Sequence, residues 1–301
     1  MKKSGIFVYI ILALALCFAA AETNMPDEAY LEIVFMDIGN NDGILLSSGG
    51  EYAFIDSGNY ANGVQAAARM KELGVETLKY YIGTHAHYDH VGGASAILGA
   101  FETESVLVPH AGVARMINRL TNGTADENAA AASAKCTVLS AGESVMLGDA
   151  ELICIAPVTL KSTSGSTDST ENSNSMVLRV EIGDVKILLT GDATTAELLS
   201  VLKLDSDALK CDVLKNPHHG AQLNETVLNA IDGEIVIFSV ASKGLPHLEY
   251  SDWFANNGYD VYMTATRVNG EVRLYTDGST ITVTPTYENN RAAWDAVYGM
   301  H

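Results

Sequence analysis

The decapeptide THAHYDHVGG, residues 84–93, places three histidines and an aspartate within six positions. The chain has only eight histidines in 301 residues, so chance clustering explains this pattern poorly. His85 and His87 follow TLKYYIGT, an apolar run that predicts a buried strand, and two residues at this spacing point the same way. Asp89 and His90 come after the turn and can reach a neighbouring position. Imidazole and carboxylate together indicate a site for zinc, manganese or iron.

Other metal-binding side chains also stand directly after predicted strands. Asp192 follows VKILLT, His218 and His219 follow CDVLKNP, and His247 follows the strand EIVIFSVA and a loop. A carboxylate at the end of a buried strand is costly unless it is paired or binds a metal. Because loops at the ends of a sheet converge, we expect these groups to meet the first motif at one site.

The order of apolar runs and turn residues predicts an α/β (α+β) fold with one domain. Each half of the chain begins with strands at hairpin spacing and continues into alternating helices and strands. Two such halves predict two sheets packed face to face with helices outside. The polar stretch 162–175, STSGSTDSTENSNS, predicts a loop.

Charge and cysteine content exclude several classes of function. The formal net charge is −19 and the pI is near 4.6. A surface this acidic repels polyanions, so tight binding of nucleic acid is not expected, and the charge favours a small-molecule partner over a long polyanion. Cys136, Cys154 and Cys211 are an odd set without C-x-x-C spacing, which predicts buried thiols and no cysteine chemistry.

The N-terminus has the pattern of a cleavable signal peptide. Lys2 and Lys3 precede an apolar run over 6–18, and three alanines follow at 19–21. The expected organisation is a signal peptide over 1–21, a short linker over 22–29, one folded domain over 30–285 and a tail over 286–301. The chain is therefore expected to be secreted or extracytoplasmic. An uncleaved membrane anchor is the alternative, and a lipoprotein through Cys17 fits less well because Leu16 is bulky.

Four stretches together resemble one family. THAHYDHVGG, SNSMVLRV, ILLTGD and LKNPHHGA are similar to the metallo-β-lactamase-fold hydrolases, and most similar to the branch that contains the C-terminal domain of the competence protein ComEC. Asp37, Gly39 and Asp42 in VFMDIGNNDGILL fit that branch, whereas Asn41 and Gly43 depart from it. The resemblance covers residues 30–280 and implies a four-layer αββα sandwich.

The resemblance also implies roles for the clustered residues. His85 and His87 correspond to ligands of one ion, Asp89 and His90 to ligands of a second ion, and Asp192 to a bridge between them. One histidine of HHG completes the ligand set of the second ion. We favour His219, next to the glycine, for this role and expect His218 to contact substrate. The cofactors are then two divalent metal ions, Zn2+ or Mn2+.

Further positions match the family less completely. Many members place another histidine on the first ion before the TGD aspartate, and this chain offers only His110 there. ENSNS stands where the branch has an asparagine-serine motif, which makes Asn174 and Ser175 candidates for substrate contact. His247 resembles a late histidine that faces the substrate, or it caps a loop. Asp56 in FIDSG matches a position that orients a ligand histidine.

The expected function is that of an exported phosphodiesterase or phosphoesterase. Two ions hold a bridging hydroxide that attacks phosphorus, and Asp89 and Asp192 are the catalytic carboxylates. One alternative is hydrolysis of a β-lactam or thioester by the same fold, although TGD and the missing histidine disfavour it. The other is a non-catalytic metal-binding relative. The chain lacks the G-x-S-x-G elbow of serine hydrolases.

Overall fold

The computed structural model describes residues 30–110, 135–161, 168–220, 223–240, 248–265 and 268–288, with the single positions 116, 118 and 120. In chain order the strands of this part are β1 (Leu31–Phe35), β2 (Ile44–Ser48), β3 (Glu51–Ile55), β4 (Thr77–Ile82), β5 (Glu102–Pro109), β6 (Cys136–Leu139), β7 (Ser144–Leu147), β8 (Ala150–Ala156), β9 (Val177–Ile182), β10 (Val185–Leu189), β11 (Val213–Lys215), β12 (Ile235–Phe238), β13 (Asp260–Met263), β14 (Val272–Thr276) and β15 (Ile281–Pro285). The helices are α1 (Tyr60–Glu72), α2 (Tyr88–Val91), α3 (Ala94–Ala100), α4 (Asp168–Asn172), α5 (Thr195–Leu204), α6 (Glu225–Ile231) and α7 (Leu248–Asn256).

The first sheet has eight strands in the order β15-β14-β1-β2-β3-β4-β5-β6. Its middle begins as an antiparallel meander, in which β2 and β3 are joined through Gly49 and Gly50, both with positive φ. From β3 to β6 the strands are parallel. Parallel neighbours need crossover connections, which α1 provides between β3 and β4, and α2 with α3 between β4 and β5.

The second sheet has seven strands in the order β13-β12-β11-β10-β9-β8-β7. Strands β7 to β10 are antiparallel, and β10 to β13 are parallel. Helices α5, α6 and α7 follow β10, β11 and β12 and make the three crossovers. Each sheet therefore changes from antiparallel to parallel, and in both sheets the parallel strands carry the helices.

The main core lies between the two sheets. Alternate residues of β1 point into it, while Val34 points to the helices on the other face. The inward side chains include Leu31, Ile33 and Phe35 from the first sheet and Ile187, Leu189 and Val213 from the second. Two further cores lie under the helices, one with α1 and α3 and one with α5, α6 and α7. The predicted four-layer αββα sandwich is thus confirmed.

Helices α1 and α3 approach closely because both contacting positions are glycines. A Cβ built at Gly63 would lie 2.4 Å from the carbonyl oxygen of Gly93. The contact holds the turn after β3 against α2, where Ser57 N donates to His90 O over 2.6 Å. Helix packing here therefore fixes a segment of the histidine motif.

One expectation about secondary structure was wrong. The polar stretch 162–175 was expected to be a loop, and the structure has the short helix α4 over its second part. Serine, threonine and asparagine usually favour turns because their side chains bond to nearby backbone. Here the side chain of Asn174 bonds to the backbone of Lys161 and so does not compete for the backbone of α4.

No helix of the described residues is long and apolar enough to cross a membrane. The predicted signal peptide and linker, residues 1–29, lie outside the described part of the chain, as do residues 289–301 of the predicted tail.

Candidate metal centre

The candidate residues lie at one edge of the two sheets, where strands end. Asp56 follows β3, His85 lies three residues after β4, and Asp192 lies three residues after β10. His219 comes four residues after β11. The carboxyl ends of parallel strands are the usual place for a site in sheets of this kind. The structure brings these four residues together from positions that are far apart in the sequence.

His85 and His87 face each other at the start of the motif. His85 Nε2 lies 2.9 Å from His87 Nδ1, and His85 Nδ1 lies 3.1 Å from the hydroxyl of Thr84. His85 is buried, and its Nε2 is also 3.8 Å from Asp192 Oδ2. Two ring nitrogens so close to one another and to a carboxylate can act together on one cation.

Asp192 lies between two groups of histidines. Its Oδ1 is 3.1 Å from His90 Nε2 and 3.9 Å from His219 Nε2. Its Oδ2 faces the other way, 3.8 Å from His85 Nε2 and 3.9 Å from His218 Nε2. One carboxylate oxygen therefore serves each side, which is the arrangement required of a residue shared by two ions.

His219 and Asp89 form the outer part of the second group. His219 Nδ1 donates to Ser239 O over 2.9 Å, so that its Nε2 is the acceptor, and this nitrogen lies 3.7 Å from Asp89 Oδ2. His218 and His219 both have positive φ, 49° and 52°, which is uncommon outside glycine. The strained turn aims both rings toward Asp192.

Asp56 orients His90 from behind. Its Oδ1 accepts from Thr84 N at 2.9 Å, and its Oδ2 accepts from Thr84 Oγ1 and from His90 Nδ1, both at 2.7 Å. Because Nδ1 is occupied in this way, His90 presents Nε2 to Asp192. Asp56 itself is buried and has φ +57°, a conformation that aspartate and asparagine tolerate better than most residues.

Three buried atoms of the site, His90 Nε2, Asp192 Oδ1 and His219 Nε2, make no well-aligned hydrogen bond among the described residues, although His90 Nε2 and Asp192 Oδ1 lie 3.1 Å apart as an ion pair. Buried polar atoms normally make such bonds, so the convergence of these three indicates a bound group. The ligating atoms of Asp89, His90 and His219 lie within 4.8 Å of one another, and so do those of His85, His90 and Asp192. These residues fit a divalent cation.

Burial and neighbouring charges shift the pKa values of the titratable groups of the site in different directions. Burial alone would lower the pKa of His90, but Asp192 and Asp56 raise it well above its ordinary value. Burial opposes ionisation of Asp192, yet the charges of His90 and His219 hold its pKa well below the usual range. Burial lowers the pKa of His85 strongly, and His90 lowers it further. Asp192 is therefore anionic and His85 neutral at neutral pH, as a metal site requires.

The structure adds two residues that sequence reasoning missed. Lys215 ends β11 with a fully buried side chain that forms an ion pair with Asp42 and donates to Gly191 O over 3.1 Å. The register of VLK could have indicated it, since Val213 faces the core between the sheets and Lys215 is the next residue on that face.

The second missed residue is Asn172. Its Nδ2 lies 3.5 Å from both ring nitrogens of His218, and its buried Oδ1 has no hydrogen-bond partner among the described residues. His218 is 48% exposed and forms the open side of the site beside Asp192. Its pKa is lowered by burial of part of the ring.

The two residues chosen from ENSNS hold backbone in place. Asn174 Oδ1 accepts from Lys161 N and its Nδ2 donates to Lys161 O, which ties two loops together. Ser175 Oγ accepts from Asp192 N over 3.3 Å and so supports the aspartate from behind. Within this segment, Asn172 is the residue that lies against His218.

Three further histidines are His110, His247 and His301. His110 follows β5 and is exposed, and none of the candidate metal groups found among the described residues includes it. His247 and His301 lie outside the described residues.

Comparison with known proteins places this geometry in a family. The model of the metallo-beta-lactamase superfamily matches residues 38–231, more than half of the chain. ComE operon protein 3 of Bacillus subtilis is 22% identical over 222 residues, which are 72% of this chain and 27% of that protein. The chain thus spans about a quarter of the length of this relative.

Two solved structures with similar chains can be compared with this one. CmlA beta-hydroxylase superposes with a TM-score of 0.54 at 12% identity, over 84% of this chain and 54% of that one, so the chain spans about half of it. The metallo-beta-lactamase SMB-1 gives a TM-score of 0.43 at 20% identity, over 62% of this chain and 79% of that one. At these identities the first match supports the shared sandwich alone.

Proposed function

Because the chain belongs to the metallo-β-lactamase superfamily, we propose that it is an exported, metal-dependent hydrolase of phosphate esters, with phosphodiesters as its main substrates. The observation that carries the proposal is the convergence of buried side-chain atoms of His90, Asp192 and His219 that make no well-aligned hydrogen bond. Such a set serves no evident purpose in a protein that binds no cation.

Two divalent ions, Zn2+ or Mn2+, would be held by the residues already described. His85 and His87 would hold one ion, Asp89, His90 and His219 the other, and Asp192 both. When bound, such ions supply Lewis acidity, which lowers the pKa of water and neutralises negative charge on a phosphoryl group.

The protein's own residues prepare the site for this chemistry. Asp56 and the carbonyl of Ser239 each accept the Nδ1 proton of a histidine, so that Nε2 of His90 and Nε2 of His219 point inward as acceptors. Asp89 is 47% exposed at the mouth of the site, and its pKa is held below the usual range, against the effect of burial, by His219 and His90. It is therefore a carboxylate at neutral pH and suits the role of ligand better than that of general acid.

His218 and Asn172 line the side on which a substrate would enter. The half-exposed imidazole beside Asp192 and the adjacent amide offer hydrogen-bond donors to phosphoryl oxygens. A phosphodiester has two such oxygens with one negative charge, and this is the substrate that a cation site flanked by neutral donors favours.

The overall charge of −19 directs the choice toward small esters. Long polyanions are repelled at range, whereas a small monoanionic ester meets little repulsion before it reaches the cations. We propose a small-molecule phosphoester as the partner and do not expect tight binding of nucleic acid. The signal-like residues 1–21 support export, by cleavage of this segment or by its retention as an anchor.

A panel of four substrates tests the proposal on protein reconstituted with Zn2+ or with Mn2+. The substrates are bis-p-nitrophenyl phosphate, p-nitrophenyl phosphorylcholine, linear DNA and nitrocefin, and the control is the Asp192→Ala variant. We expect turnover of the two small phosphodiesters, little cleavage of DNA and none of nitrocefin. Hydrolysis of nitrocefin alone would refute the proposed substrate class, and fewer than one ion per chain after reconstitution would refute the metal site.

A further inference from the structure

A buried lysine stands directly behind the candidate metal centre. The side chain of Lys215 is 0% exposed, and its Nζ bonds to Asp42 Oδ2 and donates to Gly191 O. A fully buried lysine is rare and costly unless its charge is paired and its protons are used. Asp42 is itself buried, and 173 positions separate it from Lys215. The pair therefore links the β1–β2 loop of the first sheet to the end of β11 in the second.

Asp42 lies behind the imidazoles of His90 and His219, which together with Asp89 form what we call the second half-site. Its Oδ1 lies 3.8 Å from His219 Nδ1 and has no hydrogen-bond partner among the described residues. Its Oδ2 lies 3.9 Å from His90 Nδ1. Both Nδ1 atoms already donate elsewhere, to Ser239 O and to Asp56. Asp42 is thus close enough to compete for either proton.

The same lysine is also bonded to the segment that carries Asp192. Nζ donates to the carbonyl of Gly191, the residue just before Asp192, and the main-chain oxygen of Lys215 accepts from Thr190 Oγ1 over 2.7 Å. Gly191 has φ +50°, so this turn is unusual and benefits from fixed partners. Lys215 therefore contacts Asp42 on one side of the second half-site and the turn before Asp192 on the other.

The atoms of Asp42, Asp56 and His90 also lie within 4.8 Å of one another, as a set of metal ligands would. The ammonium of Lys215 already occupies the cation position next to Asp42, so this set does not hold a third ion. The side-chain amine of Lys215 fills the position beside Asp42 that such an ion would occupy.

We infer that Lys215 is a positioning residue for ion binding: it holds Asp42 away from the Nδ1 protons of His90 and His219 and fixes the turn that presents Asp192. Without the ammonium, Asp42 becomes an unpaired buried anion and draws the proton of His219 from Ser239. His219 then rotates, and the half-site of Asp89, His90 and His219 loses its geometry. The inference rests on the metal binding in the proposed function and does not depend on its substrate.

The test compares ion binding in four variants of the full chain. Lys215→Met removes the charge, Lys215→Arg keeps it, and Asp42→Asn with Lys215→Met removes both charges of the pair. Lys79→Met is the matched control, because Lys79 makes a 2.6 Å ion pair with Glu51 between strands of the first sheet, away from the candidate ligands. Each protein is stripped with chelator and titrated with Mn2+ alone. Ions per chain, the visible spectrum with Co2+ and the melting temperature in EDTA are then measured.

We expect the wild type and Lys79→Met to bind two ions and to share one Co2+ spectrum. Lys215→Met should bind its second ion about 10–100-fold more weakly, as loss of an outer partner of a ligand usually does, with an altered spectrum. Lys215→Arg should recover part of the affinity for the second ion and part of the wild-type Co2+ spectrum. If Lys215→Met does not fold, the double variant, which leaves no buried charge unpaired, should fold. It removes the competing anion but still lacks the bond to Gly191 O, so its second ion should bind more weakly than in the wild type and more tightly than in Lys215→Met.

Two wild-type-like ions in Lys215→Met or in the double variant, with an unchanged spectrum, would overturn the inference and leave the proposed function standing. A wild-type protein that binds fewer than one ion would overturn both. The two failures are distinguishable because the second appears in the wild type before any variant is compared.

Discussion

Asp56 Oδ2 and His90 Nδ1 lie 2.7 Å apart in a fully buried contact at the back of the candidate site. The same carboxylate accepts both protons that Thr84 offers, so that three donors fix its orientation and, through it, the imidazole. This carboxylate is the residue that sets which nitrogen of His90 faces Asp192.

Asp56→Asn should therefore weaken ion binding while the fold persists. Asparagine tolerates the φ of +57°, but it has one acceptor oxygen and a donor NH2, so it cannot accept the proton of His90 and both protons of Thr84. We expect a loss of about 10–100-fold in affinity for Mn2+, measured by titration with a competing chelator. Thr84→Val removes the hydroxyl that donates to Asp56 and lies 3.1 Å from His85 Nδ1, and it should lose less because Asp56 still orients His90. Equal affinity in Asp56→Asn and wild type would contradict this role.

Asp192→Ala should abolish hydrolysis and keep the sandwich. The carboxylate faces histidines on both sides, so its removal should lower kcat by roughly 10³-fold or more, since a metal centre contributes several kcal/mol to the transition state. Far-ultraviolet circular dichroism should match the wild type. Undiminished turnover would show that Asp192 is not shared by the ions.

Asn172→Asp should discriminate against anionic substrates. The new carboxylate would lie beside His218, where we propose that phosphoryl oxygens bind. We expect kcat/KM for bis-p-nitrophenyl phosphate to fall by about tenfold or more, which corresponds to about 1.4 kcal/mol, mainly through KM. Asn172→Ala should fall less, because it removes a donor without adding charge. A loss in kcat alone, equal in both variants, would instead indicate a structural role.

Metal-free protein should lose stability in acid partly through Asp192. The pKa of this residue in the folded state lies below its ordinary value of 3.8, so its contribution is complete above that pH and is lost as the pH falls through the folded-state pKa. Asp89 acts in the same direction. With EDTA present, the melting temperature of Asp192→Asn should decline less between pH 5 and pH 2 than that of the wild type. An equal decline in the two proteins would contradict the contribution of Asp192.

Gly63→Ala should destabilise the fold. The added methyl would lie 2.4 Å from Gly93 O, a backbone atom that cannot move without shifting the turn next to His90. Overpacking of this kind costs about 1–3 kcal/mol, which should lower the melting temperature by several degrees. Val64→Ala, at an exposed neighbouring position of α1, should stay within about 0.5 kcal/mol of the wild type. A Gly63→Ala protein as stable as that control would show that the helices can separate freely.

The sequence predicted the fold and the convergence of the candidate residues because both depend on local signals. The spacing of His85 and His87 after a strand, and the apolar runs before Asp192 and His219, are visible in a few adjacent letters. The positions of Lys215 and Asn172 depend on which distant residues they meet. Nothing near Lys215 reveals that Asp42, 173 positions earlier, is its partner.

The asparagine-serine motif shows the same limit in another form. Asn174 was chosen over Asn172 by its place in the family pattern, yet its amide is fully used by the backbone of Lys161. Asn172 and Asn174 are the same residue type two positions apart, yet one side chain lies beside His218 and the other bonds to the backbone of Lys161. Only the packing of α4 against the turn of His218 distinguishes them.

The pairing of β1 with β14 has a consequence for biosynthesis. Leu31 lies opposite Thr276, so the strand made first waits for one of the last before its outer edge is covered. Until some 270 residues have left the ribosome, that edge remains open to other chains. Completion of the first sheet therefore waits for the end of synthesis, since β14 and β15 cover this edge last.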